Sequence, residues 1–156
     1  MEWQFHAVDA SLALSVRPAF SVFLRASCTV ESDCDSAEVI FGELVANVIR
    51  HAPGPIDITV QSDVRGTVEL DVRDTGTGFT FAPCLPECAF SDHGRGLYII
   101  SQLCTHVSST PIAHGNVVRV ILPVTATPSH LHLVQQIHGE IESSRAHRTA
   151  ATSQTS

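Results

Sequence analysis

At 156 residues, 44% apolar and 16% charged, the chain can bury one proper core but is too short for two comfortable domains, and its balance is globular, not disordered. A net charge of −7 argues against non-specific nucleic-acid binding, which needs a basic face. The cationic side chains are all arginines, so a lysine-based phosphate loop or Schiff base is excluded.

The five cysteines (28, 34, 84, 88 and 104) are odd in number and irregular in spacing, which does not suit a secreted disulfide framework. Met1 to Ala10 carries two acids and no arginine, unlike a signal peptide. No apolar run reaches the ~20 residues of a membrane span. These features lead us to expect a cytoplasmic protein with reduced thiols and no membrane or nucleic-acid partner.

In chain order, Phe5 to Val8 reads as a short strand. Ser11 to about Ala26 reads as a helix with Leu12, Val16, Phe20, Phe23 and Leu24 roughly on one side. Pro18 within it marks either a late start or a kink. Asp35-Ser36-Ala37-Glu38 resembles a capping box, with Asp for the usual Ser or Thr, ahead of an amphipathic helix that runs to His51 and stops at Pro53-Gly54-Pro55.

Ile56 to Gln61 and Thr67 to Val72 alternate as strands around an Arg65-Gly66 turn. Phe79 to Asp92 reads as a loop over a site. A helix follows at Gly96 to Cys104, then strands at Val107 to Thr110 and Asn116 to Leu122. The expected fold class is α+β, a two-layer sandwich with helices on one face of a mixed, mainly antiparallel sheet. Residues 1–124 would form the domain and 125–144 an extension, helical over Ser129 to Ser143. Residues 145–156 read as a disordered tail.

Three motifs carry chemistry. On the second helix, taking Glu43 as zero, Asn47 falls near 40°, Arg50 near −20° and His51 near 80°, at about 100° per residue. Phe41, Leu44, Val45, Val48 and Ile49 fill the opposite arc. Glu43, Asn47 and Arg50 thus form a polar stripe on a helix that is otherwise apolar. Such a stripe is commonly a solvated face. Here the residue types also suit a proton acceptor at Glu43 and a hard oxygen ligand for magnesium at Asn47.

The second motif is Asp74-Thr75-Gly76-Thr77-Gly78. Its ordinary reading is a turn after a strand. Its functional reading is a carboxylate that accepts from the exocyclic amine of adenine, with Gly76 and Gly78 letting backbone approach a ring. The third motif is Gly94-Arg95-Gly96-Leu97, a glycine-rich helix entry. Its free N–H groups and its arginine make an anion site. Cys84, Cys88 and His93 are zinc-compatible, but their spacing is not that of a zinc knuckle and ordinary loop cysteines are the better reading.

Together these motifs resemble the ATP-binding fold of gyrase, histidine kinases and related ATPases, the Bergerat or GHKL fold, over roughly Ser11 to Leu122. Within it the chain is most similar to the single-domain bacterial anti-sigma factor serine kinases, which carry Glu, Asn and His at four-residue steps, here Glu43, Asn47 and His51. The resemblance implies a general base at Glu43 and a magnesium ligand at Asn47. It implies an adenine contact at Asp74 and phosphate contacts at Gly94, Arg95 and Gly96. Arg50, His51, Gly76, Gly78 and Leu97 complete the implied ATP-binding set. Gly115-Asn116 matches the family's Gly-Thr pair with Asn in place of Thr, and Thr105 stands where many relatives have Asp.

The implied activity is a serine/threonine protein kinase that uses ATP and Mg2+. Its implied partners are a STAS-type anti-anti-sigma protein and a sigma factor or similar regulatory target, and relatives often form a homodimer. Two other readings stay open: an adaptor in which ATP only shapes a partner-binding face, and a detached histidine-kinase catalytic domain.

Overall fold

The computed structural model describes residues 1–76 and 95–127. The readings of 79–92, of the extension beyond Thr127 and of the tail lie outside them.

Strand β1 (Glu2–Ala7) alternates exposed and covered residues and starts earlier than its polar sequence suggests. It is tied to β2 (Ile56–Ser62) by the register Trp3↔Val60 and Phe5↔Ile58. The expected first helix divides at Pro18. Ala10–Val16 is a 3-10 segment, and α1 is Arg17–Ser27 with the proline in its first turn. A residue without an N–H and with fixed φ costs nothing there. Leu12, placed on the apolar side from sequence, is consequently exposed, while Phe20 and Leu24 are fully buried.

Helix α2 (Cys34–His51) is capped two residues before the expected box. Its cap is Asp33, whose carboxylate accepts from the Ser36 N–H at 3.0 Å and from the Ser36 hydroxyl at 2.7 Å. Glu38 does not reach back to the helix start. It pairs with Arg25 and accepts from Ser21 on α1, joining the two helices.

Strand β3 (Thr67–Asp74), helix α3 (Arg95–Leu103), β4 (His106–Ile112) and β5 (Gly115–Thr125) complete the fold. The sheet order is β1-β2-β3-β5-β4. All four pairings are antiparallel, so the parallel component allowed for by a mixed sheet is absent among the described residues.

One sheet face is the floor of the core: Ile58, Val60, Leu70, Val72, Val118, Val120 and Leu122 lie beneath Phe20, Leu24, Ile40, Phe41 and Val45 of the helices. Phe20 and Phe41 stack at 4.5 Å between ring centroids, and Trp3 lies against Phe20. The other face is polar, with Arg119 bonded through two nitrogens to Asp71. Apolar on one side and wet on the other, the sheet confines the helices to one layer. Cys28, Cys34 and Cys104 are free thiols. Burial pushes the Cys28 thiol up to about 11, which makes it a poor nucleophile.

Candidate nucleotide site

The stripe predicted on α2 divides in two. Glu43 and Asn47 are half-buried, and α3 crosses over them. The crossing is close because Gly96 sits on it. A Cβ at Gly96 would stand 2.5 Å from Glu43 Oε2 and 3.7 Å from Asn47 Oδ1. With Glu43 in this position, a side chain at residue 96 would collide with its carboxylate.

That turn carries helix N–H groups without intrahelical acceptors, a geometry that favours anions. Arg95 opens the helix and is exposed. Leu97 turns its side chain into the core and so anchors the turn. Arg50 and His51 are exposed on the last turn of α2. Among the described residues, no hydrogen bond or ion pair joins either to Glu43, Asn47 or Asp74. Gly78 and Gly94 lie outside the described residues, as do Cys84, Cys88 and His93.

Asp74 is the last residue of β3, paired in register with Ile56 on one side and Asn116 on the other. Its neighbours two and four residues back, Val72 and Leu70, lie in the core, so the alternation of the strand turns Asp74 inward as well. It is 7% exposed. One carboxylate oxygen accepts the Gly76 N–H at 2.7 Å. Burial holds the carboxyl above its ordinary pKa, and the Gly76 hydrogen bond opposes that shift.

Gly76 in turn packs on the end of α2. A Cβ there would stand 2.8 Å from Ala52 Cβ and 3.0 Å from Asp74 Oδ1. Ala52 is about 7 Å further along the α2 axis than Asn47, at 1.5 Å rise per residue. One helix therefore carries the Glu43–Asn47–Gly96 junction on its body and the Asp74–Gly76 turn at its C-terminal end.

Sequence reasoning missed Ala52 and gave Gly115-Asn116 only as a match to the family's Gly-Thr pair, without their place beside Asp74. Gly115 has φ +137, and a Cβ on it would overlap the carbonyl oxygen of Asp74. The strand carrying Asp74 lies directly on this glycine. Asn116 is fully buried beside Asp74 and accepts a hydrogen bond from the Ser109 hydroxyl at 3.1 Å. Ala52 forms the seat for Gly76. The only available signal was the Gly115-Asn116 pair itself, whose meaning depends on the β3–β5 register.

Two buried amide nitrogens, Asn47 Nδ2 and Asn116 Nδ2, donate to nothing. Unpaired buried donors are rare and point to a missing partner. Both belong to the residues just described. No group of three or more metal-ligating His, Cys, Asp or Glu side chains occurs among the described residues. No helix there is long and apolar enough to cross a membrane.

A helix layer on an antiparallel sheet, with an acid at the strand end and a glycine-seated helix start above Glu and Asn, defines a nucleotide-binding class of domain. The model of the histidine kinase-like ATPase domain matches residues 5–122. The chain belongs to that family and is an ATP-binding domain of the GHKL type.

Among solved structures, the histidine kinase domain from the Erythrobacter litoralis EL346 blue-light activated histidine kinase is similar at 17% identity and a TM-score of 0.41. The match covers 58% of this chain and 44% of that one, so the chain spans under half the length of that structure. No curated protein sequence matches the chain significantly.

Proposed function

We propose that this domain is a cytoplasmic serine/threonine protein kinase of the anti-sigma type. It transfers the γ-phosphoryl group of Mg-ATP to a serine of a STAS-type anti-anti-sigma partner, and it regulates transcription by sequestering a sigma factor or similar target. The observation that carries this reading is the seating of the Glu43 carboxylate against Gly96, at the first turn of α3.

An anion held by that turn and by Arg95 brings its terminal phosphate next to Glu43. The serine hydroxyl of the partner attacks the γ-phosphorus and its proton passes to the Glu43 carboxylate; the bond to the β-phosphate oxygen breaks and ADP leaves. Asn47 Oδ1 is the neutral oxygen available to a magnesium ion, which when bound supplies neutralisation of phosphate charge. The described residues fit that ion with one ligand and leave the rest of its shell to phosphate and water. Asp74 accepts from the adenine amine. Most of the catalysis is positioning and electrostatics.

The test is incubation of the purified chain with γ-labelled ATP, magnesium and a STAS-type partner from the same cell. Label on a partner serine, stable to acid, is the expected result. Nucleotide binding without transfer would leave an adaptor. Acid-labile label on a histidine would move the chain among the histidine-kinase catalytic domains.

A further inference from the structure

We propose that residues 129–143 of this chain dock as a helix on the outer face of α1, running antiparallel to it. No residue of the nucleotide site enters the inference, so it stands or falls apart from that reading.

At about 100° per residue, Pro18, Val22, Ala26, Ala19 and Phe23 follow one another around α1 within an arc of about 140°. Phe23 is half-buried beside Trp3, and the other four are exposed, Val22 at 69%. The arc holds no charged or hydrogen-bonding side chain. The two arginines of α1 lie on its flank toward α2. Arg25 pairs there with Asp35 and Glu38, and the Arg17 guanidinium lies over Gly42. A helix open to water ordinarily turns its polar residues outward, and one that is apolar on both faces is covered on both. The inner face of α1 is covered by the sheet and α2. Its outer face has no cover among the described residues.

The chain supplies a cover of the right length that starts in the right place. Ala126 pairs antiparallel with Cys28, and Thr127 donates its N–H to the Ser27 carbonyl at 2.9 Å. At Thr127 the chain therefore lies beside the last residue of α1 and heads back toward its start. The residues that follow place Leu131, Val134, Ile137 and Ile141 at helical spacing. As a helix, Leu131 to Ile141 spans about 15 Å, the same as Arg17 to Ser27. Glu140 and Glu142 then come level with Arg17, which makes no hydrogen bond or ion pair among the described residues. An apolar stripe meets an apolar face, and two acids meet a cation at the far end. A second copy or another protein would have to be brought to this face, whereas residues 129–143 are tethered beside it.

Hydrogen–deuterium exchange on the whole chain, read by mass spectrometry, tests this against a synthetic peptide of residues 128–143. Amides of 129–143 are expected to exchange at least about tenfold slower in the chain than in the peptide, at every protein concentration. Val22→Asp and Ile137→Asp are each expected to return them to the peptide rate. Val22 is exposed and Ile137 lies outside the described residues, so if one variant fails to fold the other decides. Peptide-like exchange in the wild type would overturn the proposal, as would slow exchange retained in either folded variant. Slow exchange that vanishes on dilution, with a doubled mass in light scattering before it, would give the face to a second copy and overturn the proposal too.

Discussion

Replacing Asp74 by Asn separates two consequences of one burial. The carboxylate is 7% exposed and the Gly76 N–H is its hydrogen-bond donor. Asn keeps the size and can still accept from Gly76, so the turn is preserved. What changes is the charge. In the folded chain the carboxyl holds its proton more tightly than in the unfolded one, because burial raises its pKa. Its favourable contribution is therefore complete below the unfolded value and is lost as pH rises through the higher, folded value. At neutral pH the ionised group opposes folding, and Asp74→Asn is expected to be as stable as the wild type or more so. The gap should close as pH is lowered toward 4.

Nucleotide affinity should move the other way. A hydrogen bond to an ionised acceptor is worth about 1.5–3 kcal/mol and a neutral one about 1, so roughly 0.5–2 kcal/mol is lost. That corresponds to about 2- to 30-fold weaker ATP binding. Urea unfolding at neutral and acidic pH, with calorimetry for ATP, reads both quantities. Undiminished ATP affinity would refute the assignment of Asp74 to the base. A large stability loss at neutral pH would refute the account of its burial.

Three further substitutions test the geometry. Gly96→Ala places a methyl group on the Glu43 carboxylate, which can swing aside; thermal stability should hold or rise by up to about 1 kcal/mol from helix propensity, while phosphoryl transfer falls at least about tenfold. Full transfer would remove the Glu43–Gly96 junction from catalysis. Gly115→Ala meets the Asp74 backbone at a φ disfavoured for alanine, and urea unfolding should show a loss of about 3 kcal/mol or more. Glu43→Gln should leave ATP affinity near wild type in calorimetry and lower the transfer rate by about 10²- to 10⁴-fold; an unchanged rate would mean Glu43 is not the base.

The sequence disclosed what depends on local period. The 3.6-residue spacing put Glu43 and Asn47 together on α2, and the glycines around Arg95 marked a helix start; both hold. It was less good where one residue decides between neighbouring solutions. The cap expected at Asp35 gives way to Asp33, whose carboxylate reaches Ser36. Leu12 fitted an apolar helical side until Pro18 started a new helix beneath it. Arg50 fitted the polar stripe by angle, but it is exposed on the last turn of α2. What could not be read at all was pairing between distant segments. Asn116 and Gly115 acquire their meaning from the β3–β5 register, and no local pattern encodes which residue will face Asp74 across two strands.

That dependence explains how labour is divided in the site. The Glu43–Gly96 junction is built from one helix and the start of another. The Asp74 corner is built from paired strands, where Asp74 and Asn116 are fixed by the same ladder that makes the core. Gly76 on Ala52 fastens that end to α2. The α2–α3 contact is made by the close approach of Gly96 to Glu43 together with Leu97 and Ile100 in the core. Under the proposed function, base selection would sit on the strand ladder and proton acceptance on the helix layer. The two buried amides without partners, Asn116 at the first end and Asn47 at the second, place one unmet hydrogen-bond donor in each half. A nucleotide that satisfies both must bridge strand layer and helix layer.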